Sequence, residues 1–136
     1  MKQVWAAVAT AGVFLAGAGT AGAASWHDLQ DMRVAGVRFY EGHYKFNAQG
    51  RNHGAFEWTG SLNDTSVRDH HNVYVEVRVE GHSPMRYYGK QGRTVSLHRF
   101  NWDGAQQYTD DAYMRACVDR GVAKWDLCST EVHYAK

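Results

Sequence analysis

The chain has 136 residues, 44% of them hydrophobic, with 15 Lys and Arg against 14 Asp and Glu and only two cysteines. That length suits one small domain with a single core. The basic residues are scattered and nearly balanced by acids, which argues against the clustered positive charge that nucleic acids and anionic membranes reward.

In chain order, Lys2 precedes an apolar run from Val4 to Leu15 and a small-residue stretch, Ala16 to Ala24. A basic start, a short apolar segment and an A-x-A-like end predict a secretory signal peptide over residues 1–24. The apolar run is shorter than the ~20 residues a membrane-spanning helix needs. The expectation is a secreted, extracellular protein, not membrane-bound after cleavage. All eight histidines lie beyond the cut, and titration near their ordinary value of ~6.5 would make the domain cationic below about pH 6.

Residues 25–53 admit two readings. Residues 31–46 form either the first strand of the domain or an extended arm that adds to a partner's sheet or cleft. Gln49 to Gly54 then reads as a linker. In the arm reading Arg38, Phe39, Tyr40 and Tyr44 are the partner-binding anchors, because Arg and Tyr often carry a large share of binding energy.

Residues 54–136 read as an antiparallel domain. Phe56, Trp58 and Leu62 alternate with polar residues, and Val73, Val75, Val77 and Val79 share one parity opposite Tyr74, Glu76, Arg78 and Glu80. Period two with β-branching predicts strands with one buried and one wet face. The polar stretch 63–72 is expected to link two antiparallel strands, its Asx and Ser/Thr side chains satisfying local backbone groups. Met85–Tyr88 reads as a short strand, of which Tyr87 and Tyr88 must face opposite ways. In 94–102, Val95 and Leu97 fall on one parity and Phe100 and Trp102 on the other, which predicts a bulge near His98-Arg99 with Phe100 in the core. Ala112 to Asp119 alternates again, and 124–134 reads as one final strand. No segment beyond residue 24 has a helical period. Short strands and turns rich in Gly, Asn and Asp predict an all-β fold, a small antiparallel sandwich or barrel.

Cys117 and Cys128 predict one structural disulfide, contributing roughly 2–3 kcal/mol by constraining the unfolded chain. Asp69-His70-His71 and His82 match no metal-ligand spacing, so no metal or other cofactor is expected. No G-x-S-x-G and no phosphate-binding Gly loop occur, and Glu57, Glu76 and Glu80 form no recognisable catalytic pair. The expectation is no catalytic site and no enzyme activity. What remains is a surplus of aromatics, which suits a binding module for other secreted proteins or for carbohydrate.

Trp58-Thr59-Gly60-Ser61-Leu62-Asn63-Asp64-Thr65, the strand from Val73, and Met114-Arg115-Ala116-Cys117-Val118-Asp119 with Cys128 resemble small secreted β-sandwich proteins of filamentous bacteria. The resemblance spans residues 54–130 and describes a scaffold. Within that group the chain is similar to the small adaptor subunit of extracellular umbrella toxin particles. This resemblance implies a link between a cell-surface-binding lectin subunit and a repeat-built toxin stalk, with the N-terminal arm docked in a partner's cleft. Secreted proteinaceous inhibitors of hydrolases are a second comparison, although they usually carry more disulfides.

Overall fold

The computed structural model describes residues 24–104 and 108–136; the expected signal peptide, but for its last residue, lies outside the described residues. Ten strands are found there: β1 (His27–Asp28), β2 (Met32–Val34), β3 (Val37–Phe46), β4 (Phe56–Asp64), β5 (Val73–Val79), β6 (Met85–Tyr88), β7 (Thr94–Asn101), β8 (Asp111–Val118), β9 (Leu127–Cys128) and β10 (Val132–Ala135). They form two antiparallel sheets. The first has the order β1-β3-β4-β7, with β2 also on β3; the second has the order β10-β8-β5-β6, with β9 also on β8. The protein is an all-β sandwich whose core lies between these sheets.

Alternation builds that core. Phe56, Trp58 and Leu62 of β4 face Val73, Val75 and Val77 of β5 and Ala112, Met114 and Ala116 of β8, all fully buried. A polar relay ties the sheets together at one edge. Trp58 Nε1 donates to Asn101 Oδ1 at 2.9 Å, and Asn101 Nδ2 donates to the Tyr87 hydroxyl at 2.8 Å. At the other edge, Gln30 N–H donates to the Tyr134 hydroxyl at 3.0 Å. Buried polar groups partnered in this way avoid the cost of desolvation without compensation.

Strand β3 lies inside the first sheet, between β4 on one side and β1 and β2 on the other. Its register with β4 slips between Tyr40 and His43, where Glu41 and Gly42 stand opposite the single residue Gly60. This is a β-bulge, and Glu41 adopts a left-handed φ of 53° within it. The extra residue inverts the parity. Val37 and Phe39 point inward before it, and Tyr44 and Phe46 after it. The bulge hid this strand from a simple period-two reading and made an arm plausible.

Glycine fits where the bulge closes on the core. A Cβ on Gly60 would lie 2.1 Å from the Phe39 ring, and one on Gly42 would lie 2.9 Å from the same ring and from Leu29. Phe39 occupies the volume that side chains at both positions would need.

Three sequence-based expectations are corrected. β7 holds an unbroken register with β4 from Thr94 to Asn101, so the bulge belongs to β3 and not to His98-Arg99. Phe100 consequently points outward and is 38% exposed, while Arg99 takes the inward parity. Of the polar stretch 63–72, Asn63 and Asp64 end β4, and the rest joins strands in different sheets, since β4 pairs with β3 and β7 and not with β5. The last segment is two short strands, β9 and β10, both on β8.

Cys117 and Cys128 face each other across β8 and β9 and form the disulfide. Replacing Cys117 with Ser is expected to lower stability by roughly 2–4 kcal/mol, read as a shift in the urea midpoint. Gly60→Ala is expected to cost roughly 1–3 kcal/mol through overpacking against Phe39. The outward-facing Ser61→Ala should stay within about 0.5 kcal/mol. Equal midpoints for the two variants would show that Phe39 can move aside.

Candidate functional site

The outer face of the second sheet was expected to be wet, yet Tyr74 is fully buried and Glu76 nearly so. Cross-strand pairing explains this. Glu76 stands between Arg115 of β8 and Arg86 of β6 in one row. Arg115 Nε donates to its Oε1 at 2.9 Å, and Arg86 Nε lies 3.6 Å from its Oε2. In the next row Tyr74 stands between Cys117 and Tyr88, with the Arg86 guanidinium 4.5 Å above its ring. Further along, Arg78 lies 3.9 Å over Tyr113, which stacks on His133 at 4.4 Å. The polar parity of β5 is therefore covered by cationic and aromatic side chains from its neighbours.

The segment between β8 and β9 closes over this layer. The Tyr74 hydroxyl donates to Asp126 Oδ2 at 2.5 Å, and Arg120 N–H donates to Asp126 Oδ1 at 3.1 Å. Tyr88 donates to Asp119 Oδ2 at 3.1 Å, and Arg120 Nε donates to the Trp125 carbonyl at 2.7 Å. With the Cys117–Cys128 bond at its base, the loop is held at both ends. Its tip is the opposite: Val122 is fully exposed and Trp125 is 90% exposed. Between loop and sheet lies an open groove of about 970 Å³ lined by Tyr74, Arg86, Arg115, Lys124, Trp125 and Leu127, among others.

The electrostatics follow from this packing. Burial by itself would raise the Asp126 carboxyl. The Tyr74 hydroxyl, the Arg120 amide and the Arg86 cation more than offset that, so it titrates below its ordinary value of 3.8. Tyr74 is pushed well up, first by burial and then by its bond to Asp126. At neutral pH the pair is thus a neutral phenol donating to an ionised carboxylate.

The four residues expected as partner anchors do not form one surface. Phe39 is fully buried, and Tyr44 packs against Phe46, Phe56 and Tyr134 at centroid distances of 6.0, 5.5 and 4.7 Å. Phe39 belongs to the core and Tyr44, partly buried, packs against it, so neither stands out as a surface anchor. Arg38 and Tyr40 take the outward parity; Arg38 Nη2 donates to Asp31 Oδ2 at 2.9 Å, and its guanidinium lies 4.3 Å from the Tyr40 ring. Asp69 Oδ1 accepts from the His71 amide at 2.9 Å, a local turn bond that accounts for the Asp-His-His segment. Sequence reasoning missed Val122 and Trp125. Trp125 falls within the 124–134 segment expected as strand, and Val122 falls between the two expected strands; their one signal is two apolar residues following Gly121 within a disulfide loop.

No family model, curated protein or solved structure matches this chain.

Because the folded state holds Asp126 below its ordinary value, the associated stability is present above about pH 4 and is lost as the pH falls through the lowered value. Asp126→Asn should therefore be less stable than the parent at pH 7. The gap should narrow below about pH 4 as the parent's carboxylate is protonated. Thermal melts across pH 2–7 check this sign, and a gap that widens in acid would contradict it.

Proposed function

We propose that the protein is a secreted, non-enzymatic binding module that acts through protein–protein contacts, an adaptor in an extracellular complex. The observation that carries this reading is the loop 119–126. It presents a nearly fully exposed Trp and a fully exposed Val from a base fixed by a disulfide and four hydrogen bonds. An apolar side chain held out in water costs free energy that a partner's pocket can recover. A loop already ordered loses little conformational entropy on docking, so more of the contact energy appears as affinity. Trp is the residue most typical of an energetic centre, and Arg86, Arg120 and Lys124 around it supply a polar rim. The disulfide fits the oxidising compartment that a leader peptide over residues 1–24 would imply.

The test is the native complex from the culture fluid. Trp125→Ser is expected to weaken capture of the co-purifying protein by about 2 kcal/mol, on the order of thirtyfold in Kd, with an unchanged melting temperature. If the parent runs as a free monomer, or if a folded Val122→Ser/Trp125→Ser double variant keeps its partner, the loop is not the contact. Stoichiometric loss of a secreted hydrolase's activity on adding the parent would instead favour the inhibitor reading.

A further inference from the structure

The outer face of the first sheet carries a second constellation, on the far side of the sandwich from the loop. Pairing across β3, β4 and β7 places His43, Thr59 and His98 in one row and Lys45, Glu57 and Phe100 in the next. Trp26, just before β1, lies over the second row, with Lys45 Nζ 4.7 Å from its ring centroid. Trp26, His98 and Phe100 follow one another at centroid distances of 6.5 and 5.3 Å, a track of three rings along the sheet. Trp26 and Phe100 are 44% and 38% exposed. A shallow depression of about 400 Å³ opens beside them, lined by Trp26, His43 and Thr59.

Beneath the rings is a buried carboxylate. The Glu57 side chain is 7% exposed, with His98 Nε2 at 2.7 Å and Lys45 Nζ at 3.6 Å. Asn47 Nδ2 donates to it at 3.2 Å. His43 Nδ1 is similarly placed 3.1 Å from Asp28 Oδ1. Each imidazole is oriented through one nitrogen and keeps the other for a ligand. Each carboxylate of these rows already faces a base, so an added cation would compete with Lys45 and the histidines, and an anion would meet Glu57 and Asp28. The ligand whose charge matches is neutral. Along the same face Ser61 and Ser96 stand opposite each other and Tyr40 opposite Ser61, which adds hydroxyls, while Arg38 beyond them is held by Asp31.

We propose that this face binds a neutral glycan, whose apolar C–H surface stacks on Trp26 and Phe100 while its hydroxyls bond to His43, Thr59 and His98. A sugar ring is flat and apolar above and below but carries donors and acceptors around its rim. Exposed rings interleaved with rigidly oriented polar groups match both features, and the matching requires the polar groups to be fixed in advance. The Glu57 network provides that fixing for His98. The site is independent of the loop on the second sheet and uses none of its residues.

Affinity electrophoresis in native gels containing xylan, laminarin or galactomannan, with polygalacturonate as the anionic control, tests the proposal. The expected result is retardation in at least one neutral gel. Trp26→Ala and Phe100→Ala should each reduce that retardation by about tenfold in apparent affinity, the loss of one central aromatic contact. Trp125→Ser should leave it unchanged. Circular dichroism establishes that both ring variants are folded; where one is not, the other decides. Absence of retardation in all three neutral gels overturns the proposal, as does retardation by polygalacturonate alone or undiminished binding by a folded ring variant.

Discussion

The sandwich depends on the seating of Phe39 against Gly60. The ring fills the space of the missing side chain on the middle strand of the first sheet, meets Trp58 edge-on at 5.9 Å, and lies against the bulge at Gly42. Everything on β3 follows from this contact. Before it the odd residues point to the core, and after the bulge the even ones do, so Tyr44 and Phe46 can reach Phe56 and Tyr134. Without the inversion, His43 and Lys45 would face the interior, where an unpaired charge is costly. Close packing leaves no slack at such a junction, and so glycine is required on the strand that receives the ring.

The same inversion determines what the outer faces display. It brings His43 level with Thr59 and His98, and Lys45 level with Glu57 and Phe100, on the solvent side of the first sheet. On the second sheet the outward row Arg115-Glu76-Arg86 arises from pairing alone, since its members come from three strands. A carboxylate flanked by two guanidiniums in one row is satisfied without leaving the sheet, and it forms a floor on which Tyr74 and Asp126 hold the loop. The two outer faces are thus built differently. One is a strip of rings and hydroxyls over a buried carboxylate; the other is a charged floor beneath a projecting apolar tip.

Placing both features on one small domain has a physical consequence. The loop is rigid at its ends because its acids are consumed by internal hydrogen bonds, leaving the tip to act through apolar area. The outer face of the first sheet keeps its ring nitrogens and hydroxyls outward because its acids too are neutralised locally. In both places internal pairing of Asp and Glu is what frees other groups for contact with a partner.

Local chemistry was enough to establish the class of fold. The valines of β5, the aromatic alternation of β4, the absence of a helical period and the two lone cysteines each report a property of a few adjacent residues, and each is found in the sandwich. Where a feature depended on a partner strand, sequence alone was insufficient. The parity of β3 turns on one extra residue opposite Gly60, which a period-two pattern cannot place, and so Phe39 and Tyr44 were open to reading as surface anchors. Phe100 was assigned inward because it is apolar, but register with β4 puts it outside. Tyr74 and Glu76 were assigned to water because their own strand alternates, but Arg86, Arg115 and Asp126, distant in sequence, cover them. The loop tip and the three-ring track were equally invisible. Sequence by itself determined an all-β, disulfide-tied domain; tertiary structure decided which aromatics are core and which are contact, because that choice is made by pairings between strands that are far apart along the chain.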